Sequence, residues 1–404
     1  MRRHFLALTL TLTVAVFVAG IKNQVSDGKI VFGVWFDGTT DISGNDTTAR
    51  VNDRLGFNAG AFHSWQMIPP LPAPQFAPLQ NADGTVNFDL YNEGTNAAVF
   101  LTVYPQGLYN VTDTDILNLA AQCNKISALG RNVFVRFAPE MNGDWFVYGN
   151  NATAFIPLWK NFYTLMSNNA PQVAIVWSPN YNGPDSNEPY DPYWPGAAYV
   201  DWVGLSLYWK GFVADWPWQV NKAAPSNYVA QIIDAQGPEG GSVSFYKTYA
   251  VAYNKPFVIS ETGAAFNENI VNTNGSLTPI SPGPGHVNLT MSFWDSFLFN
   301  QEFLTTYPLF KMVFSFELYK VEDSVQRDFR ALTDPTLSPF VAGLQTLDNM
   351  GLISWANSAV QSSETTTSTS TASTQSSTSS QKSTANMIQL PIYTLLFMLV
   401  VMLK

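Results

Sequence analysis

Two glutamates stand out because each follows a short apolar run, where a charged side chain is otherwise unexpected. Glu140 lies in Arg136-Phe-Ala-Pro-Glu-Met-Asn-Gly-Asp-Trp145, and Glu261 lies in Lys255-Pro-Phe-Val-Ile-Ser-Glu-Thr-Gly263. Short apolar runs of this kind are typical of buried strands, and the carboxyl ends of barrel strands form a common rim. Two carboxylates on one rim suggest acid–base and nucleophilic cleavage of a glycosidic bond.

Arg136 precedes Glu140 by four residues. Strand alternation therefore predicts that both side chains point to the same side, with Arg136 one step deeper. A guanidinium below the rim would keep a nearby carboxylate ionised by Coulombic attraction and hydrogen bonding. The ionised form is the one that a nucleophilic carboxylate across the barrel would need. A purely structural role as the partner of buried carboxylates is an equal alternative for Arg136.

Aromatic residues follow several of the predicted strands. Pyranose rings present apolar C–H faces that stack on aromatic planes, while sugar hydroxyls require amides and carboxylates around them. A single buried tryptophan or tyrosine is more often a core residue, but a collection at strand ends favours a carbohydrate cleft. The candidate aromatic residues are Trp65, Trp145, Trp177, Tyr208 and Trp209, and the candidate polar residues are Asn142, Asn180 and Asp201.

The elements that must position these residues are short runs rich in β-branched and aromatic side chains. Eight such runs are predicted as strands: Ile30–Asp37, Ala59–Trp65, Asn96–Tyr104, Asn132–Glu140, Gln172–Asn180, Val200–Trp209, Pro256–Glu261 and Phe310–Leu318. Helical periodicity appears between them, notably in Asp113–Leu129, Phe155–Met166 and Ser292–Thr305. Alternating strands and helices predict an α/β fold with a single (β/α)₈ (TIM) barrel. An open doubly wound sheet is less favoured. It would require a glycine-rich phosphate loop after the first strand, and the sequence has none there.

In this arrangement Glu140 closes the fourth strand and Glu261 closes the seventh. Asp37 and Glu317 are the other carboxylates at predicted strand ends.

The composition and net charge of the chain argue against several classes of function. The 404 residues are 46% apolar and 12% charged, with a net charge of −10. The negative charge argues against nucleic acid, whereas a neutral polysaccharide meets no such repulsion. The single cysteine, Cys123, lies on the apolar face of a predicted helix and is expected to be a buried thiol without a disulfide. With three histidines and one cysteine, we expect no zinc site, and cleavage of a glycosidic bond by two carboxylates requires neither a metal nor an organic cofactor.

The two ends of the chain indicate secretion and attachment to a surface. Residues 1–20 have the charged, apolar and small-residue order of a signal peptide, and residues 21–360 form the predicted catalytic domain. Residues 361–386 are a Ser/Thr-rich stalk, and residues 387–404 form a hydrophobic tail typical of a glycosylphosphatidylinositol signal. A transmembrane helix is the alternative for the tail. We expect a monomer that contacts the membrane through this lipid anchor or tail, and sequons at Asn45, Asn110, Asn151, Asn274 and Asn288 are candidates for glycosylation.

The motif around Glu140, the stretch Tyr199-Val-Asp-Trp-Val-Gly-Leu-Ser-Leu-Tyr208 and the stretch Val258-Ile-Ser-Glu-Thr-Gly263 resemble glycoside hydrolase family 26. This family consists of retaining (β/α)₈ enzymes best known as endo-β-mannanases, and the resemblance covers roughly residues 31–347. It implies that Glu140 is the acid/base and Glu261 the nucleophile. It also implies that Trp145 lines the subsite next to the cleaved bond and that Tyr208 donates a hydrogen bond to the nucleophile.

One position departs from the family pattern. Many family members have histidine immediately before the acid/base glutamate, whereas this chain has Pro139. β-1,4-Mannan is the first expectation for the substrate, and mixed-linkage β-glucan and β-xylan remain open. His63, on the second predicted strand, either supplies the missing imidazole or is an ordinary rim histidine. The alternatives to hydrolysis are transglycosylation of a cell wall and glycan binding by an inactive surface protein.

Overall fold

The computed structural model describes residues 22–36, 46–70, 85, 94–184 and 189–358. The predicted signal peptide, stalk and hydrophobic tail lie outside these residues, as do Asp37 and Asn45. In the described part of the chain, eight parallel strands close into a barrel. They are β1 Val31–Phe36, β2 Ala61–Ile68, β3 Ala98–Pro105, β4 Val133–Phe137, β5 Ala174–Trp177, β6 Trp202–Trp209, β7 Phe257–Ala264 and β10 Phe310–Glu317.

The strand order around the barrel is β1-β10-β7-β6-β5-β4-β3-β2, so neighbours in space follow one another in the chain apart from the final closure. This order confirms the predicted (β/α)₈ barrel and each of its eight predicted strands. Seven predicted starts lie one or two residues early, because residues such as Ile30, Ala59 and Val200 are buried directly before the hydrogen-bonded ladders. The larger errors are at four strand ends. β4 and β5 end three residues before the prediction, at Phe137 and Trp177, and β2 and β7 end three residues after it, at Ile68 and Ala264. Glu261 therefore lies within β7 and does not close it.

The barrel is closed by side chains that fill its interior. Phe100 and Phe314 lie 4.5 Å apart between ring centroids, and Phe134 meets Trp202 edge-on at 5.1 Å. A Cβ atom added to Gly33 would lie 2.3 Å from the ring of Phe314, so only glycine fits there. Strands buried on both faces read as nearly continuous apolar runs, which is why the sequence shows them so clearly.

Helices cover the outside of the barrel: α1 Thr48–Leu55, α2 Asp113–Ala128, α3 Ala152–Asn169, α4 Tyr228–Asp234, α5 His286–Trp294, α6 Gln301–Thr306 and α7 Leu337–Asn349. Thr112 and Asp115 form a capping box at the start of α2. The predicted apolar face of α2 is buried, including Cys123, but Leu129 caps the helix and is 59% exposed.

The structure confirms one of the other two predicted helices and contradicts the other. The helix predicted over Phe155–Met166 is confirmed and extends over the whole of α3. The single helix predicted over Ser292–Thr305 is wrong, because the chain forms α5 and α6 with a break between them. The side chain of Asn300 accepts a hydrogen bond from the backbone N–H of Phe303 and so starts α6 as a new helix.

A second, antiparallel sheet, not predicted from the sequence, lies beyond the carboxyl ends of β7 and β10. Its strands are β8 Phe266–Val271, β9 Leu277–Pro279, β11 Tyr319–Glu322 and β12 Val325–Asp328, in the order β11-β12-β8-β9. β8 follows β7 after one residue, and β11 follows β10 after one residue. The small sheet therefore extends one side of the barrel above its rim.

The two ends of the described chain lie at the opposite face of the barrel. Ile30, directly before β1, forms a parallel bridge with Ile353, and Thr95, shortly before β3, pairs with Ser358. Lys22 forms an ion pair of 3.1 Å with Asp201, directly before β6. Among the described residues, no helix combines the length and the apolar character needed to cross a membrane.

Candidate active site

A cleft of about 590 Å³ opens at the carboxyl ends of the barrel strands. Glu140 and Glu261 both line it, although only 5% and 7% of their surfaces are exposed. Ligand and catalytic sites of (β/α)₈ proteins lie at this face, where loops from several strands meet. The structure therefore brings together the two glutamates that the sequence singled out.

Glu140 lies three residues beyond β4, in a turn with unusual backbone angles. Ala138 has φ of 43° and Glu140 has φ of 53°, in the left-handed region that non-glycine residues rarely adopt. The N–H of Ala138 donates to Val103 and that of Glu140 donates to Ser178, at 2.9 Å each. These bonds to β3 and to the end of β5 hold the turn, and they correct the prediction that Glu140 closes the strand. Because the strand has already ended, alternation does not govern where Glu140 points.

Pro139 lies in this turn, between the two left-handed residues. Its carbonyl oxygen accepts a hydrogen bond of 3.0 Å from the hydroxyl of the buried Tyr148. The proline therefore belongs to the rigid support of Glu140.

Glu261 lies within β7, at an irregularity of the ladder. Leu205 pairs with Ile259 and Ser206 pairs with Glu261, so one extra residue, Ser260, bulges between them. Bulges of this kind re-aim side chains next to active sites. Ser260 Oγ lies 3.0 Å from Ser178 Oγ inside the barrel, while Glu261 points into the cleft.

Arg136 joins the two glutamates. Its guanidinium is completely buried, forms an ion pair with Glu261, and lies 3.9 Å from a carboxylate oxygen of Glu140. It also donates to Ser206 Oγ at 2.5 Å. Burial opposes its charge, but the neighbouring carboxylates Glu261 and Glu140 raise the pKa of Arg136 above its usual value. The guanidinium is therefore a fixed positive charge beneath both carboxylates.

Tyr208 holds the second oxygen of Glu261. Its hydroxyl donates a hydrogen bond of 2.8 Å to Oε2. Burial, followed by the charges of Glu261 and Glu140, raises the pKa of Tyr208 well above its usual value, so the hydroxyl stays neutral and donates. Burial also raises the pKa of Glu261, and the charge of Glu140 adds to this, while Arg136 and Tyr208 act in the opposite direction.

Three further predicted residues surround the turn of Glu140. The indole N–H of Trp145 donates to Glu140 Oε2 at 2.9 Å, and both Trp145 and Asn180 line the cleft. Asn142 lies behind them. Its side chain donates to the carbonyl of Asn180 and accepts from the N–H of Asn180, at 3.0 and 2.9 Å. Asn142 therefore positions Asn180 and ties the turn after β4 to the segment after β5.

Two predicted aromatic residues lie outside the described lining of the cleft. Trp177 and Trp209 are completely buried in the layer between strands and helices, and their indole N–H groups donate to the carbonyls of Tyr193 and Lys222. Alternation gives the physical reason for Trp209: its neighbour Tyr208 faces the cleft, so Trp209 faces away. The structure therefore does not bring either side chain to the cleft where the sequence placed it.

His63, Trp65 and Asp201 are also placed differently from expectation. His63 lies beneath Trp35, with ring centroids 4.2 Å apart, and its Nε2 is 2.6 Å from Thr102 Oγ1. Burial and then the charge of Arg136 lower the pKa of His63 well below its usual value, so it is a neutral support below the cleft and not a rim histidine. Trp65 packs edge-on against Tyr104, which lines the cleft in its place. Asp201 lies at the opposite face of the barrel.

The sequence interpretation missed several cleft residues. Trp35, Tyr104 and Phe316 lie near the carboxyl ends of barrel strands and carry the same signal as the residues that were chosen. Others come from the segments after β4 and β5, from the loop after β6 and from the small sheet, whose pairing no local pattern reveals. They include Lys210, Trp216, Trp218, Lys320 and Glu322.

Glu322 is the centre of a buried ion cluster on this side of the cleft. Three cations of the described chain contact its carboxylate: Lys210 at 2.9 Å, Lys320 at 3.3 Å and Arg327 at 3.2 Å. Burial opposes the charge of Glu322, yet the three cations together lower its pKa to about 2. The cluster joins the loop after β6 to the hairpin of β11 and β12.

Comparisons with known proteins agree with this geometry. The model of glycosyl hydrolase family 26 matches residues 72–273, half of the chain. A mannan endo-1,4-beta-mannosidase A from Piromyces sp is 34% identical over 94 residues, which are 23% of this chain and 14% of that protein. A beta-1,3-xylanase from Alcaligenes sp is 29% identical over 121 residues, which are 30% of this chain and 24% of that protein. The matched segments thus span less than a quarter of these relatives.

Among solved structures, the catalytic domain of an endo-beta-1,4-mannanase from Bacillus sp. JAMB-750 superposes with a TM-score of 0.51. The superposition covers 78% of this chain and 86% of that one, at 14% identity, and supports the fold alone. The family match, which includes the turn of Glu140 and the strand β7 of Glu261, confirms the resemblance seen in the sequence. The chain belongs to glycosyl hydrolase family 26.

Proposed function

We propose that this protein is a retaining endo-β-glycoside hydrolase that cleaves a polysaccharide. The observation that carries the proposal is the position of Glu140 and Glu261, which line one cleft and contact the same guanidinium. Retaining enzymes need carboxyl groups ~5–5.5 Å apart, whereas inverting enzymes separate them by ~6.5–9.5 Å to admit a water. Two carboxylates that share Arg136 favour the shorter separation.

Glu261 is the nucleophile in this proposal. The ion pair with Arg136 and the hydrogen bond from Tyr208 stabilise its ionised form, which attacks the anomeric carbon. Glu140 gives its proton to the leaving oxygen as the glycosidic bond breaks, which leaves a covalent glycosyl ester on Glu261. Glu140 then removes a proton from water, and the hydroxide oxygen replaces the carboxylate with retention of configuration.

β-1,4-Mannan is the substrate class that we propose first, because the relative from Piromyces is described as acting on mannan. β-1,3-Xylan is the second candidate, because the relative from Alcaligenes is described as a β-1,3-xylanase. We further propose that the protein is secreted and attached to a surface through its C-terminal segment, on the sequence features described for residues 1–20 and 361–404.

The roles of the glutamates can be separated with an aryl glycoside whose leaving group needs no protonation. Glu140→Gln should slow polymer cleavage about 10²–10⁴-fold, yet give a rapid burst of phenol followed by slow turnover, because the ester forms but lacks its base. Glu261→Gln should give neither burst nor turnover. Glu239→Gln is the matched control, since Glu239 is a buried carboxylate that accepts from the N–H of Val213 outside the reaction centre. A burst that survives Glu261→Gln would remove the proposed nucleophile.

Substrate and reaction type follow from the products of wild-type protein on β-mannan, galactomannan, mixed-linkage β-glucan and β-xylans. Internal cleavage of one polymer, with the β-anomer formed first by NMR, is the expected result. Products longer than the substrate would instead indicate transglycosylation. Binding without product from any polymer would favour a glycan-binding surface protein.

A further inference from the structure

One wall of the cleft is cationic. Lys210, directly after β6, and Lys320, in β11, both line the cleft that holds the two glutamates. The side chain of Lys210 is 19% exposed and that of Lys320 is 5% exposed, so the ammonium of Lys210 is the more accessible to a ligand. Neither lysine is needed for the double displacement described above.

The charges around this wall are not balanced within the buried cluster. Glu322 is completely buried and is shared by Lys210, Lys320 and Arg327. Asp323, one third exposed, also lines the cleft and contributes a second carboxylate 3.5 Å from Arg327, so three cations face two carboxylates. Burial, together with the like charges of Arg327 and Lys320, lowers the pKa of Lys210 although Glu322 attracts it. A second anion at Lys210 would therefore relieve repulsion inside the wall.

Aromatic rings stand beside this ammonium. Trp216 is 62% exposed and meets Trp218 edge-on, with ring centroids 4.7 Å apart. Lys210 Nζ lies 5.4 Å from the centre of the Trp218 ring. The indole N–H of Trp218 donates to the carbonyl of Phe212, and Arg327 donates to the carbonyl of Pro217, so the loop is held in place. The wall thus combines two adjacent indole rings, set at right angles to each other, with a neighbouring positive charge.

The wall is adjacent to the reaction centre. Lys210 Nζ lies 5.9 Å from the ring of Tyr208, whose hydroxyl donates to Glu261. It belongs to the β6, β7 and β10 side of the barrel, away from Trp145 and the acid/base turn. A sugar bound here would therefore lie near the unit that is attached to the nucleophile.

We propose that this wall is a subsite for a pyranose that carries a carboxylate, a hexuronate unit of the polysaccharide, with Lys210 pairing the carboxylate and Trp216 and Trp218 contacting the ring. The inference rests on the proposed function in that it takes the cleft as a polysaccharide site. The net charge of −10 opposes a polymer that is anionic throughout. A largely neutral polysaccharide with occasional hexuronate units avoids this overall repulsion and still offers a carboxylate to Lys210.

The experiment uses the whole protein and a pair of polymers: a β-mannan that carries glucuronate units, and the same polymer after its carboxyl groups are reduced to hydroxymethyl groups. We expect kcat/KM to be at least about tenfold higher on the acidic polymer, equivalent to about 1.4 kcal/mol, and the preference to decline as salt is added. Lys210→Met should abolish the preference, and Lys210→Arg should retain part of it.

Lys222→Met is the matched control, because Lys222 lies in the same loop but pairs with Asp215 and is nearly half exposed. It should leave the preference unchanged. Equal kcat/KM on the two polymers, or a preference that survives Lys210→Met, would overturn the subsite. Thermal unfolding of each variant shows whether the barrel is intact, and Lys210→Arg together with the salt series tests the charge if Lys210→Met does not fold.

Tryptophan fluorescence measures the binding of oligosaccharides whether or not they are cleaved, so it tests the subsite independently of the proposed hydrolysis. Tighter binding of acidic than of reduced oligosaccharides, without any product, would support the subsite and count against the hydrolase. Cleavage of neutral β-mannan with equal binding of both oligosaccharides would support the hydrolase and overturn the subsite.

Discussion

At the scale of single residues, the candidate site depends on hydroxyl and guanidinium groups that hold one carboxylate ionised. Tyr208 contributes one hydrogen bond to Glu261, and Arg136 contributes an ion pair. Burial raises the pKa of Glu261, so catalysis should be lost on the acid side as pH falls through that raised value. The acid limb of kcat/KM therefore reports the state of the proposed nucleophile.

Tyr208→Phe should shift this acid limb to higher pH, because the ionised form of Glu261 loses a donor and its pKa rises further. We expect kcat near neutral pH to fall about tenfold or more, since a hydrogen bond to a charged group contributes about 1.5–3 kcal/mol. The measurement is a pH profile of both proteins. Tyr163→Phe is the control, because its hydroxyl donates to Asp201 at the opposite face. A lower kcat with an unmoved acid limb would show that Tyr208 acts on the substrate instead.

Both glutamates, Arg136 and Tyr208 could be found from sequence because each lies at or near the end of a strong strand signal. The failures at this scale have local causes. The turn with positive φ at Ala138 and Glu140 ends β4 early, and no residue type there announces it, since neither is glycine or asparagine. Trp209 faces away from the cleft because strand alternation sends it to the side opposite Tyr208.

At the scale of elements, the small antiparallel sheet is stabilised by charge as well as by its hydrogen bonds. Glu322, at the end of β11, contacts cations from β11, β12 and the loop after β6. Its pKa is about 2 in the folded protein, against a usual value of 4.5. The group therefore stabilises the fold above pH 4.5, and this contribution is lost as pH falls toward 2.

Glu322→Gln should destabilise the protein by about 3–5 kcal/mol at neutral pH, because three buried cations lose their counter-charge. The difference from wild type should shrink as the pH falls below 4.5, and urea unfolding at several pH values measures both effects. Asp323→Asn, at a partly exposed carboxylate, should change stability by less than about 1 kcal/mol. A small loss for Glu322→Gln that does not depend on pH would mean that the cluster does not support the sheet.

The barrel strands were predictable and the small sheet was not, for reasons of packing. Barrel strands are buried on both faces and appear as apolar runs, whereas β8 and β11 alternate irregularly and β9 has three exposed residues. The stability of such strands comes from partners distant in the chain, such as β12 for β8 and Lys210 for Glu322. Their contribution to the cleft could therefore not be read from local pattern.

At the scale of the whole molecule, side-chain packing stabilises the described barrel, which contains no disulfide bond. Cys123 is completely buried on the inner face of α2, and burial raises the pKa of its thiol to about 12. The native thiol should therefore resist thiol reagents at pH 8 and react only as the protein unfolds. Labelling rates measured across a urea series, beside far-UV circular dichroism, test this expectation. Rapid labelling with native circular dichroism would show that α2 opens separately from the barrel.

The positions of Ile353 and Ser358 determine from which face of the barrel the C-terminal segment leaves. Both residues pair with segments that precede barrel strands, so the chain continues toward residue 404 from the amino-terminal face. Glu140 and Glu261 lie at the other face. If the C-terminal segment fastens the protein to a surface, as we propose, the attachment leaves the barrel from the face opposite the cleft and does not itself cover the entrance for a polymer.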